Sequence, residues 1–284
     1  LGSEMVEGRD FIIKSGVPHF WRSWNAADEY INDFSFSQQH NMSFSGTAGK
    51  TNYYMGLSYM GQNGVVKVNP DSYNRFSVNY STDTEIKPWL KVRSKALYTR
   101  TNLETPFNFN TASYDALYYL YRWPTIMPYG TYEGEPFRNS VTETAAANMN
   151  SDVKDYMRFS VGATFVLGIP DLTLDVGYTY NLDNQNITQR GGTVGGWDFW
   201  SGSMSLVDNW AATARNKVDK YQYNRNYHAG NAVLRYKHTW NDAHSLNVFG
   251  GMNVEYKEVD YVKAEKRKLL DQTKPEIPLA IGDD

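Results

Sequence analysis

The chain has 284 residues and a formal net charge of −3, which gives nucleic acid no broad electrostatic attraction. It contains no cysteine, so disulfides, thiolate metal sites and cysteine nucleophiles are excluded. Aromatic residues make up 15% of it and tyrosine alone supplies 22 positions, a composition that suits strands better than a helical core.

No apolar run approaches the ~18 residues of a transmembrane helix, but a transmembrane strand needs only about 9–11 residues of alternating character. That alternation first appears at Met42 and Phe44, set between Asn41, Ser43 and Ser45. After the turn Thr47-Ala48-Gly49-Lys50 it resumes with Tyr53, Met55, Leu57 and Tyr59. Period two on both sides of a short polar turn predicts a β-hairpin. A second hairpin is predicted from Phe76, Val78 and Tyr80, a turn within 83–88, and then Leu90, Val92, Ala96 and Tyr98. A third runs through Met157, Phe159, Val161, Ala163 and Phe165, turns at Ile169-Pro170-Asp171, and returns through Leu172, Leu174, Val176, Tyr178 and Tyr180. A fourth joins Ala232, Leu234 and Tyr236 to Leu246, Val248, Met252, Val254 and Tyr256 across a turn at 241–244.

Eight long strands in four hairpins result, with long connections predicted over 61–72, 101–152 and 182–226 and a short helix over 114–123. One face of the strands is apolar and aromatic. The other carries Arg75, Lys91, Arg93, Lys95, Arg158, Asp175, Arg235 and Lys237. A soluble sandwich would bury the apolar face on a second sheet. Short turns at one end and long loops at the other instead fit an outer-membrane barrel, with lipid outside and a wet lumen inside. Tyr59, Tyr98, Tyr180, Trp89 and Trp240 stand where interfacial aromatic girdles belong. The expected fold is all-β: an antiparallel up-and-down transmembrane β-barrel segment of about eight strands with long extracellular loops.

No catalytic motif or nucleotide-binding loop is present, and "GGTVGG" at 191–196 departs from G-x-G-x-x-G. No catalytic residue, metal ligand or cofactor is assigned; His238 and His244 flank the fourth turn without accompanying carboxylate ligands. The candidate contact residues lie in the loops. "GGWDFWSGSMSLVDNW" holds Trp197, Trp200 and Trp210 beside Asp198 and Asn209, and the preceding loop holds Tyr118, Tyr119, Tyr121, Trp123 and Tyr129. Aromatic faces and neighbouring carboxylates or amides serve packing that orders a long loop or partner contact before substrate contact, since aromatics are enriched at protein interfaces as well as in ligand pockets.

The segment "SFSQQHNMSFSGTAGKTNYYMGLSYMGQNGVVK" resembles the opening strands of the barrel in SusC/RagA-type TonB-dependent transporters of Bacteroidetes. "YNRFSVNYSTDTEIKPWLKVRSKALYTRTN" and "NAVLRYKHTWNDAHSLNVFGGMNVEY" resemble later hairpins, and "KLLDQTKPEIPLAIGD" the loop beyond them, so the likeness runs over 21–284. It implies part of an active outer-membrane importer of oligosaccharides or peptides. A SusD-like surface lipoprotein would cap it, and TonB would act through an N-terminal region outside these residues. Family barrels have about twenty-two strands around a plug domain. Neither a plug nor a TonB box is found here, so 1–284 is expected to be one partial barrel domain from the interior of a longer, non-enzymatic protein of the Gram-negative outer membrane. The alternatives are a soluble all-β glycan-binding module, separable by its independence of detergent, and an outer-membrane barrel enzyme or adhesin.

Overall fold

The computed structural model describes residues 3–109, 123–241 and 243–282. A small hairpin of β1 (Phe11–Lys14) and β2 (Val17–Phe20) and a short helix (Ala26–Tyr30) precede the sheet. The sheet strands are β3 (Ser37–Ala48), β4 (Thr51–Asn63), β5 (Ser72–Lys87), β6 (Leu90–Pro106), β9 (Met149–Val166), β10 (Leu172–Arg190), β13 (Lys217–Trp240), β14 (His244–Leu269) and β15 (Ala280–Gly282). Two minor hairpins sit in the connections: β7 (Thr131–Tyr132) with β8 (Glu135–Pro136), and β11 (Gly196–Asp198) with β12 (Ser205–Val207).

The eight long strands form one antiparallel meander in sequence order, and the short β15 joins its last edge. All four predicted hairpins are present. Gly49 at φ 60°, Asp171 at φ 64° and Asn241 at φ 52° let the chain reverse at three of the turns, because glycine has no Cβ to clash and Asp and Asn tolerate the left-handed region. The second turn is tighter than predicted. β5 continues to Lys87 and pairs Asp83 with Arg93 and Glu85 with Lys91, with a register irregularity between Glu85 and Lys87. The polar run 83–85 reads as turn in the sequence, but opposite charges facing each other across the ladder favour strand. The helix predicted over 114–123 lies outside the described residues, apart from Trp123.

Residues paired across neighbouring strands share a face. One row runs Phe44–Met55–Tyr80–Ala96–Phe159–Tyr180–His228–Tyr256 across all eight strands. A row on the other face runs Asp83–Arg93–Gly162–Gly177–Asn231–Asn253. The predicted division of side chains therefore holds, and no slip interrupts it from β6 to β14. Met42 is 58% exposed, Phe44 52% and Phe159 44%. Among the described residues no second sheet packs on this face, which excludes the sandwich; a patch this large marks a surface meant for an apolar surrounding.

The apolar stretch of the outer face covers Met157–Phe159–Val161–Ala163–Phe165 on β9, about the length needed to cross a bilayer. The strands themselves are far longer: 24 residues in β13 and 26 in β14. Consequently the connections shrink to 64–71, 107–148 and 191–216. Above the apolar rows the outer face turns mostly polar, in the row Asn74–Asn102–Val153–Asn186–Gln222–Val262, which continues the ladder.

The main buried core lies outside this sheet, which itself holds a small buried cluster of Val218, Leu269 and Ala280 on its last strands. Met5, Phe11, Trp24, Tyr30, Val66, Trp123, Tyr129, Phe137, Val141 and Phe199 form one cluster, drawn from the first thirty residues and the three long connections. Loops normally lie on the surface because their backbone polar groups need partners. Here the minor hairpins and short helices satisfy those groups, so the loops can build a core of their own.

Replacing Phe159 by Arg is expected to cost about 2–4 kcal/mol of membrane stability, since an arginine would face hydrocarbon near mid-band. In the full-length protein the outer-membrane level of Phe159→Arg should fall sharply while that of Ser77→Arg, on the polar face, stays near wild type. Equal levels of the two would contradict the assigned faces.

Candidate functional site

The connections 107–148 and 191–216 meet at the end of the sheet opposite the four tight turns. One glycine permits the meeting, and a second lets the connection 191–216 fold back on itself. Gly196 has φ 134°, and a Cβ there would lie 2.2 Å from the carbonyl oxygen of Pro136. A Cβ on Gly191 would lie 1.9 Å from the carbonyl oxygen of Arg215. The "GGTVGG" run is thus a close-packing device rather than a phosphate cradle.

The contact places Phe137 against Trp197, with the Arg138 amide donating to the Trp197 carbonyl at 3.0 Å. Asn139 then caps the helix Ser140–Ala146: its side-chain oxygen accepts from the Thr142 amide at 2.9 Å, and its Nδ2 donates to the carbonyls of Phe137 and Pro128. Ser140 and Glu143 are held facing the tryptophans as a result.

Trp123, Arg138, Asn139, Ser140, Glu143 and Trp200 line a cleft of about 200 Å³. Trp200 is 55% exposed, stacks on Phe199 at 5.9 Å and meets Trp123 edge-on at 5.4 Å. The Arg138 guanidinium lies 6.0 Å from the Trp200 ring and 5.9 Å from the Trp210 ring, within cation–π range. Its Nη1 is 3.0 Å from Asp198 Oδ2, and the other Asp198 oxygen accepts from the Trp200 amide at 3.1 Å. Trp210 Nε1 donates to Glu143 Oε1 at 3.1 Å. Burial pushes the Glu143 carboxyl above the usual range, against the opposing pull of the Trp210 hydrogen bond and the Arg138 charge.

The six residues singled out in the sequence therefore come together with three different placements. Trp123 and Trp200 form cleft walls. Asp198 and Trp210 hold the two charged groups, Arg138 and Glu143. Tyr129 is buried, its ring 6.0 Å from Trp123, and burial raises its phenol pKa. Trp197 is a packing residue, with Nε1 donating to the Tyr132 carbonyl at 2.7 Å and its ring 5.4 Å from Tyr132. Tyr118, Tyr119 and Tyr121 lie outside the described residues. Arg138, Ser140 and Glu143 were missed; the available signal was Asn139 ahead of Ser140 and Glu143, an N-cap followed by an acid in the first turn. At the far end of the sheet, His238 Nδ1 is 2.6 Å from Asp171 of the neighbouring hairpin.

No profile of a known protein family matches the chain. The chain is 22% identical over 234 residues to a TonB-dependent receptor of Formosa agariphila, an alignment covering 79% of this chain and 20% of the receptor. Among solved structures, the RagAB peptide transporter superposes with a TM-score of 0.68 at 15% identity, over 98% of this chain and 30% of that one. The RagAB peptide importer matches over the same shares, with TM-scores of 0.70 in its "closed-closed" state (18% identity) and 0.71 in its "open-open" state (15% identity). The resemblance read from the sequence and the architecture agree: the fold is that of part of an outer-membrane β-barrel transporter. The chain spans about a fifth of the receptor and under a third of the solved chains.

Because Glu143 titrates higher in the folded loops than in an unfolded chain, its contribution to loop stability is fully present below its unfolded pKa and is lost as pH rises through its folded value. Glu143→Gln keeps an oxygen for the Trp210 indole and removes that dependence. Tryptophan emission of the full-length protein should change less with pH above 4.5 in Glu143→Gln than in wild type; identical profiles would contradict the assignment.

Proposed function

We propose that residues 1–284 form part of the wall and the extracellular mouth of a TonB-dependent outer-membrane importer for oligosaccharides or peptides. The observation that carries this reading is the continuous apolar band on one face of an eight-strand meander whose other face is charged. That band suits lipid and leaves the polar face for a wet lumen. A soluble glycan-binding module would expose the same band to water, an aggregation liability. The tight turns then face the periplasm, and the long connections, with their own core, face outward.

At the mouth, the cleft between Trp123, Trp200, Arg138 and Glu143 supplies flat apolar walls, a cationic donor and an acid held by an indole. Such a surface suits a sugar ring or a peptide side chain, and equally the edge of a SusD-like lipoprotein seated over the barrel. The peptide importers among the structural neighbours favour the peptide reading. TonB would act through a part of the longer protein outside these residues.

Trp200→Ala in the full-length protein should weaken substrate binding or lipoprotein co-purification about tenfold, as loss of an exposed aromatic anchor does, at an unchanged outer-membrane level. Trp197→Ala should loosen the loops, read as faster proteolysis between 123 and 216. Unchanged binding and capping in Trp200→Ala would remove the cleft from either role.

A further inference from the structure

The sheet rises well above its apolar band, and the outer face of that rise carries side-chain amides without partners. On β10 the last apolar residue of this face is Leu182, paired with Asn226 of β13. The next two rows pair Asn184 with Asn224 and Asn186 with Gln222. Just below, the Tyr180 hydroxyl donates to Asn226 Oδ1 at 2.9 Å, and the Tyr178 hydroxyl lies 2.7 Å from His228 Nδ1. Tyrosines tied to polar partners at this level mark the change from hydrocarbon to headgroups.

Asn184, Asn186, Gln222 and Asn224 make no side-chain hydrogen bond among the described residues. Asn186 and Gln222 are exposed, and Asn184 Oδ1 is shielded from solvent yet unpartnered. The opposite face of the same strands is different. There Asp183 meets Lys154 and Arg225, and Gln185 donates to both oxygens of Asp152. Contacts within the chain engage that inner face and leave the outer amides free.

Charge and place decide the occupant. The four amides carry no charge. Asp155, next to Asn184 on β9, is engaged by Arg100 at 3.5 Å and by the Tyr98 hydroxyl at 2.6 Å, and Asp260 closes the same row on β14. A phosphate calls for converging cations, and a solvated strand face carries interspersed charges of both signs. An uncharged amide patch matches hydroxyl groups, which both donate and accept as amides do. Neighbouring strands lie about 4.8 Å apart and alternate residues about 6.6 Å, so the four amides reach one sugar-sized ligand together. In a Gram-negative outer leaflet, the polar matter standing directly on the lipid is the saccharide of a glycolipid. We propose that Asn184, Asn186, Gln222 and Asn224 dock the sugar portion of lipopolysaccharide against the outside of the barrel. The proposal rests on the barrel reading above, which makes this the lipid-facing side, and it concerns a surface outside the lumen and below the mouth cleft.

The test offers the full-length protein in detergent either lipopolysaccharide with its core sugars or lipid A freed of them by mild acid. Bound glycolipid is counted by native mass spectrometry. Wild type should retain the sugar-bearing form about tenfold better than lipid A, the scale of a few net hydrogen bonds. Asn186→Ala/Gln222→Ala, which alters only exposed positions, should remove most of that preference, and Gln185→Ala on the inner face should keep it. Equal retention of the two glycolipids by wild type would overturn the proposal, as would a preference unchanged in the double variant or lost equally in Gln185→Ala. A double variant that loses self-association while keeping the preference would also overturn it and assign the patch to an interface between copies. Gel mobility with and without boiling separates the two readings: a heat-modifiable barrel without the sugar preference sinks the docking alone, whereas no heat-modifiable barrel in wild type sinks the barrel reading with it.

Discussion

The hydrogen-bonded ladder between neighbouring strands runs in register from β3 to β14, with a single irregularity near the turn between β5 and β6. Every other feature depends on that continuity. In a β-sheet a slip of one residue moves a whole strand's side chains to the opposite face. Such a slip in β9 would exchange Phe159 and Val161 for Ser160 and Gly162, putting serine and glycine in the apolar band and aromatic bulk on the polar face. In hydrocarbon the ladder has a second duty, because unpaired amides and carbonyls find no water there. Paired strands satisfy that demand wherever the outer face meets lipid.

The same constraint explains why the hydrophobic core is displaced. A wall with lipid on one side and a lumen on the other has no interior of its own. Large aromatic residues that would fill a soluble domain stand on the outer face instead, and the buried cluster forms among the connections. The first thirty residues contribute Met5, Phe11, Trp24 and Tyr30 to that cluster. Tyr30 reaches across it to Thr144 at 3.0 Å. The mouth is thereby ordered by packing between connections that are far apart in sequence, and the cleft residues inherit fixed positions from that packing.

Hairpins, turns and the two faces of the sheet were legible because lipid on one side and polar surroundings on the other impose a period of two on the residues themselves. The upper halves of the strands were not. From Asn181 to Arg190 in β10 both faces are largely polar, so the backbone ladder continues where the hydropathy signal stops. Hydrophobic alternation marks the band rather than the strand, and long polar strands read as loops. The loop tryptophans stood out by composition, and all three came to the cleft or its immediate supports. Arg138 and Glu143 did not stand out, since an isolated charge in a loop has no period. Their roles come from contacts across the fold, with Asp198 sixty residues on for one and Trp210 sixty-seven residues on for the other.

The central claim is that adjacent residues of one strand face lipid and lumen in turn. Single cysteines introduced through β9 from Met157 to Phe165, in a chain without native cysteine, would carry spin labels into the full-length protein in bilayers. Accessibility to dissolved oxygen and to a water-soluble nickel chelate would be measured at each position. The account requires oxygen to dominate at Met157, Phe159, Val161, Ala163 and Phe165, and the nickel chelate to gain relative to oxygen at the residues between them. A profile without period two, or one with the nickel chelate favoured at Phe159 and Val161, would contradict it.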